Sequence, residues 1–170
     1  MTTAAAFKRE RGVRCLVFFL ILTGFMALTA CGPDAVFAGS RTFDAEVGWK
    51  ADDVARFDWQ VEDTLKRYDF FIDLRHNQDY PFTNMYLFVD YTFPNGLTRK
   101  DTISCDLADQ RGRWYGSGFG NLIGHRIGFR QNTGFPLQGD YTVKIAHGMR
   151  LDPLRGMLDV GFRLEPTSFD

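Results

Sequence analysis

From Arg56 onward, apolar side chains recur at every second position in one segment after another, and that period decides what the chain can fold into. In "RFDWQVED", Phe57, Trp59 and Val61 alternate with Asp58, Gln60 and Glu62. A strand sends successive side chains to opposite faces, whereas a helix needs a repeat near 3.6, so this pattern reads as a half-buried strand. The same reading holds for "YDFFIDLRH", where Phe70, Ile72 and Leu74 share a side. In "NMYLFVDYTF", Met85, Leu87, Val89, Tyr91 and Phe93 stand opposite Tyr86, Phe88, Asp90 and Thr92. That segment starts apolar on both faces, as a central strand does. "HRIGFRQ" is a weaker strand, "DYTVKIAHG" keeps Tyr141, Val143, Ile145 and His147 in step, and "MLDVGFRLE" aligns Leu158, Val160, Phe162 and Leu164. "RTFDAEVGW" is either irregular or an edge strand.

Turn chemistry agrees with the strands. Pro94-Asn95-Gly96 offers an Asn-Gly pair that takes positive φ, and "LTRKDTISCDL" runs back from it as a hairpin partner. Seven or eight short strands at regular spacing, with no amphipathic helix, predict an all-β fold: an antiparallel β-sandwich, jelly-roll or immunoglobulin-like. The sequence leaves those two topologies open.

Upstream of the strands lies "CLVFFLILTGFMALTACGPD", preceded by Lys8, Arg9, Arg11 and Arg14 against the single acid Glu10. A basic flank followed by a short apolar run is the pattern of a secretory signal. The run from Cys15 to Leu28 falls short of the ~20 residues that a spanning helix needs. It ends in Leu28-Thr29-Ala30-Cys31, which resembles the lipobox of bacterial lipoproteins. That resemblance implies a diacylglycerol on the Cys31 thiol, cleavage before it, and acylation of the new amino terminus. Each buried methylene contributes about 0.8 kcal/mol, so two or three acyl chains anchor a domain stably to a membrane. The expected organisation is a signal peptide over 1–30, an acylated cysteine and tether over 31–40, and a single domain over 41–170.

Charge and cysteine content narrow the functional classes. Residues 1–30 carry four basic side chains against one acid, so a chain cut before Cys31 has a net charge of −4, against −1 for the whole. That balance argues against nucleic-acid binding. Cys15 departs with the signal and Cys31 takes the lipid, which leaves Cys105 as the only thiol and no internal disulfide. In "DTISCDL", Cys105 shares a strand face with Asp101, Ile103 and Leu107, so it is expected as a small buried hydrophobe rather than a catalytic thiol.

Few residues escape the strand pattern. "DQRGRWYGSGFGNL", Asp109 to Leu122, sets glycines among Trp114, Tyr115 and Phe119. It lacks the following helix that a phosphate-binding loop requires, so it reads as a glycine-rich connection folding back over the sandwich edge, or as a binding loop. "RHNQDYPFTN" is a turn-rich connection, and "AHGMRLDPLRG" places Met149 and Arg150 in another. His76, His125 and His147 show no metal-ligand spacing, so no metal is expected. Asp58, Glu62, Asp69 and Asp73 could bring carboxylates together across strands, but no nucleophile, base and orienter assemble from the sequence. The expectation is a non-enzyme with no cofactor.

Taken together, "DDVARFDWQVEDT", "YDFFIDLRHNQDYPFTNMYLFV", "FPNG", "LADQRGRWYGSGFGN", "FPLQGDYTVKIAHGMR" and "GMLDVGFRLE", in order behind Cys31, resemble the GldH-type gliding-motility lipoproteins. The motifs cover nearly all of the chain after Cys31. The resemblance implies a small outer-membrane lipoprotein, an accessory to the gliding machinery linked to type IX secretion, with protein components of that apparatus as partners. It carries over no catalytic residues. No acidic or basic run follows Cys31, which favours a body facing the periplasm over the cell surface. Trp114, Tyr115, Phe119 and Arg150 are the candidate partner contacts, since strand alternation does not consume them. The alternative is a module binding an envelope glycan, with Trp114 and Tyr115 as stacking platforms beside Asn121 or Asp109.

Overall fold

The computed structural model describes residues 35–168. Cys31 and the signal segment lie outside these residues. Eight strands follow one another: β1 (Phe37–Thr42), β2 (Ala55–Val61), β3 (Arg67–His76), β4 (Asn84–Thr92), β5 (Thr98–Asp106), β6 (Ile123–Gly134), β7 (Gly139–His147) and β8 (Met157–Pro166). They form two four-stranded antiparallel sheets, ordered β1-β8-β3-β6 and β2-β7-β4-β5. Consecutive strands change sheet everywhere except at the β4–β5 hairpin, and the pairs 1–8, 2–7, 3–6 and 4–5 nest inside one another. This is a jelly roll, which settles the choice against the immunoglobulin-like order.

Alternation maps directly onto the two inner faces. Phe57, Trp59 and Val61 are buried on β2; Phe70, Ile72 and Leu74 on β3; Met85, Leu87, Val89 and Tyr91 on β4. Phe162, fully buried on β8, packs against Trp59 at 5.3 Å and edge-on to Phe70 at 5.9 Å. The β4–β5 hairpin turns at 93–97, with the Phe93 carbonyl accepting the Gly96 N–H at 2.9 Å. Cys105 is buried, and desolvation pushes its thiol up to about 12, so it stays protonated and packs as a small hydrophobe.

Three details depart from the sequence reading. Phe37–Ser40, assigned to the tether, belongs to β1: it pairs with β8 from Phe37↔Leu164 onward, and the Phe37 ring packs against Trp59 at 5.8 Å. Ala38, Gly39 and Ser40 give no apolar alternation, so backbone pairing and one anchoring ring define this edge strand. On β8 a register shift falls between the Arg75 and His76 pairings, and Met157 rather than Leu158 turns fully inward. β4 is an inner strand of its sheet, but a two-layer sandwich covers one face only. Tyr86 and Phe88 therefore stay 43% and 50% exposed.

Strand parity sorts the connections. The short turns 62–66, 93–97 and 135–138 lie at the pole where β1 begins, here the near pole. The segments 43–54, 77–83, 107–122 and 148–156 lie at the opposite, far pole.

Candidate functional site

Far-pole geometry begins with two short turns inside the aromatic and glycine-rich segment. Asp109 organises the first: its carboxylate accepts the N–H groups of Arg111 and Arg113, both at 2.9 Å, and the Arg113 Nε at 3.1 Å. Ala108 then bridges to Trp114, and the Tyr115 N–H bonds the Leu107 carbonyl at 2.9 Å. The second turn is tied by reciprocal backbone bonds between Ser117 and Gly124 at 3.1 and 2.9 Å. A Cβ on Gly118 would lie 1.8 Å from the Leu122 carbonyl oxygen, so only glycine permits this closure. The loop folds back over the sandwich edge, as the glycine content predicts.

This fold separates the candidate residues. Trp114 turns inward, its ring 4.4 Å from His76 and 6.5 Å from Tyr80. Tyr115 and Phe119 turn outward, 66% and 93% exposed. Arg150 is exposed in the neighbouring 148–156 connection. That connection meets the same pole through Gly156, whose carbonyl accepts the Asn77 N–H at 2.9 Å beside Tyr80. Tyr115, Phe119 and Arg150 thus share one pole, and Trp114 braces it from beneath. A stacking platform formed by Trp114 and Tyr115 together is not presented, because the tryptophan packs against His76.

Two exposed aromatics adjoin this pole that sequence reasoning placed in a covered sheet. The Gly148 N–H bonds the Tyr86 carbonyl at 2.7 Å, and a Cβ on Gly148 would touch the Phe88 ring at 3.0 Å. Tyr86 and Phe88 therefore border the segment that carries Arg150. Their phase, opposite to Met85, Leu87 and Val89, was the available signal.

Beneath the loop His76 and His125, two of the three histidines that showed no metal-ligand spacing, form a buried pair that the sequence did not bring together. His76 Nε2 and His125 Nε2 are 2.9 Å apart, and His76 Nδ1 lies 2.8 Å from the Asn77 carbonyl. A carbonyl only accepts, so neutral His76 donates from Nδ1 and accepts the His125 Nε2–H. Burial lowers the pKa of both, His125 to about 4 with a further contribution from His76. His147, in step with Val143 and Ile145, is buried against Trp49 and is also lowered by desolvation. The position of His76, in step with Phe70, Ile72 and Leu74, was the legible sign of its burial.

The four carboxylates do not converge. Asp58 is on β2, in one sheet, held by Arg56 at 2.7 Å and by Thr142. Asp69 and Asp73 are on β3, in the other sheet; Asp69 accepts the Asn132 N–H at 2.8 Å, and Asp73 pairs with Arg126 at 2.8 Å. Glu62 follows β2 at the near pole.

The family model described as GldH lipoprotein matches residues 36–164, nearly the whole span of the sandwich. The chain belongs to the GldH lipoprotein family. It is 31% identical over 158 residues to the gliding motility lipoprotein GldH homolog of Christiangramia forsetii, covering 89% of this chain and 95% of that protein. It is also 31% identical over 153 residues to the gliding motility lipoprotein GldH of Flavobacterium johnsoniae, covering 86% and 94%. Among solved structures, a 4-O-methyl-alpha-glucuronidase with specificity for decorated arabinogalactans matches at 13% identity and a TM-score of 0.46, over 84% of this chain. This chain spans about a fifth of that enzyme's length (19%). For this member of the GldH family, the far-pole residues add a surface to the family assignment.

Proposed function

We propose that this GldH-family lipoprotein is a non-enzymatic accessory component of the gliding-motility machinery linked to type IX secretion. Acyl chains on Cys31 hold it in the outer membrane, with the sandwich in the periplasm. It meets a protein partner through its far pole, where Tyr115, Phe119, Arg150, Tyr86 and Phe88 form the contact and Trp114 supports it. The supporting observation is Phe119, 93% exposed at the tip of a loop tied by backbone hydrogen bonds. Aromatic and arginine side chains are enriched at interface hot spots, and a loop already ordered loses little entropy on binding. Confinement to the membrane plane raises the effective concentration of the partner, so a modest interface suffices.

The test is a pull-down from crosslinked cell envelopes with the native lipoprotein, Cys31→Ala, and a Tyr115→Ala/Phe119→Ala double variant. Motility or secretion components should come with the native form and be lost from the other two. Equal recovery by the double variant would remove the far pole from the interface. Retention of cell-wall or surface polysaccharide without a protein partner would replace this reading with glycan binding.

A further inference from the structure

The entry into β1 and each of the three turns at the near pole present one exposed aliphatic residue. Val36 stands ahead of β1, Leu65 in the β2–β3 turn, Leu97 in the β4–β5 turn and Leu137 in the β6–β7 turn, exposed by 54%, 89%, 65% and 36%. Isolated exposed leucines need no explanation, but four such residues from four connections at a single pole give that pole a set of apolar tips.

Their backbones are prepared for a water-poor environment. The Leu65 N–H bonds Asp63 Oδ1 at 2.9 Å, the Leu97 N–H bonds Asn95 Oδ1 at 3.1 Å, and the Leu137 N–H bonds the Tyr141 hydroxyl at 3.2 Å. The Val36 N–H bonds the Leu164 carbonyl at 2.9 Å. All four amide donors are thus satisfied within the protein, and immersion in an apolar layer would strand none of them. Asp63 is also tied back, to Lys66 at 3.9 Å.

The position of the chain's start identifies what covers these tips. Only residues 32–35 separate Cys31 from Val36, and a fully extended chain spans at most ~3.6 Å per residue. An acylated Cys31 therefore lies within about 18 Å of Val36, too short a link for the domain to turn its near pole away from the lipid surface. We infer that the near pole seats on the bilayer, with Leu65, Leu97, Leu137 and Val36 inserted at the headgroup boundary. This rests on the proposed acylation of Cys31 and adds an orientation to it. Strands of about ten residues rise ~3.3 Å per residue, so the seated sandwich carries Tyr115, Phe119 and Arg150 roughly 30 Å above the lipid.

The experiment uses the mature acylated protein in phosphatidylethanolamine and phosphatidylglycerol vesicles, labelled with an environment-sensitive fluorophore at Leu65→Cys, Leu97→Cys or Phe119→Cys. Cys105 is 1% exposed and Cys31 is blocked by its lipid, so the introduced thiol is the one that reacts. Spin-labelled lipids should quench the probes at 65 and 97 at least threefold more than the probe at 119, and aqueous iodide should show the reverse order. In a second variant, Leu65→Ser with Leu97→Ser, iodide quenching of a probe at Leu137→Cys should rise at least twofold. Equal iodide access at 65, 97 and 119 would overturn the seating. Flotation of the same vesicles separates the two claims. Protein that floats with all probes open to iodide is anchored but not seated, and protein that does not float refutes the anchor and the seating with it.

Discussion

Acidification from pH 7 to pH 5 should destabilise the sandwich through its buried imidazoles before its carboxylates contribute. His125 is 7% exposed and its pKa is lowered from 6.5 to about 4. The unfolded chain binds a proton at His125 below about pH 6.5 while the folded chain does not, so stability falls as pH falls through this window. For a shift of that size, linkage gives a loss of about 2 kcal/mol between pH 7 and pH 5, rising to about 3 kcal/mol at pH 4. His76 and His147 are shifted in the same direction by burial and steepen the fall. Asp58 is held below 3.8 first by Arg56, and Asp101 by Arg130 and Arg99 against its own desolvation. Lowered carboxylates keep their contribution above the unfolded value and lose it only as pH falls toward the folded one, so the interval from 6.5 to 5 belongs to the histidines. Urea unfolding of residues 31–170 carrying Cys31→Ala, at half-unit steps of pH, measures the slope. His125→Phe should reduce that slope while costing about 1–3 kcal/mol at pH 7, because His76 Nε2 loses its donor. A flat profile between pH 7 and pH 5, or an NMR titration placing His125 near 6.5, would refute the buried pair.

Other outcomes follow from packing. Gly156 sits at φ +81°, and a Cβ there would lie 2.3 Å from the Tyr80 nitrogen, so Gly156→Ala should cost more than about 2 kcal/mol in urea unfolding. Phe162→Ala removes a fully buried ring from between Trp59 and Phe70 and should cost about 3–5 kcal/mol by the same measurement. Tyr115→Ala with Phe119→Ala should leave stability within about 0.5 kcal/mol of the parent, so a loss of partner capture by that variant reports contact rather than unfolding.

The strands were legible because burial on one face imposes a period of two, and Phe57, Trp59, Val61, Tyr141, Val143 and Ile145 obey it without exception. β1 was not, because Ala38, Gly39 and Ser40 are held by pairing with β8, and long-range pairing leaves no local apolar pattern. Trp49 was missed for a related reason. It is fully buried, but in the irregular segment between β1 and β2, where it stacks on Phe43 at 4.6 Å and bridges to Leu154. At the candidate site, the sequence marked Trp114, Tyr115 and Phe119 as a group. Which of them turns inward depended on His76 and His125, which come from two paired strands. The exposure of Tyr86 and Phe88 depended on how many layers cover β4, a property of the whole sandwich.

The two poles answer to one constraint. In an eight-stranded antiparallel jelly roll, each odd strand runs away from the point where the chain begins, so every odd-to-even connection must lie at the opposite end. A lipid attached just ahead of β1, as proposed, would therefore fix which loops face the membrane before any side chain is chosen. Turns 62–66, 93–97 and 135–138, at the near pole, are short. The segments 43–54, 77–83, 107–122 and 148–156 face away, and they hold the longest connections in the described chain together with Tyr115, Phe119 and Arg150. Long ordered loops are where a rigid scaffold carries its recognition surface. If a maleimide-functionalised lipid were instead coupled to a cysteine added after Pro166, the anchor would still emerge at the near pole, because β8 is even and returns there. Such a variant with Cys31→Ala should keep partner capture, whereas moving the anchor into the 107–122 loop should abolish it. Orientation, rather than the identity of the anchored terminus, is what this reading requires.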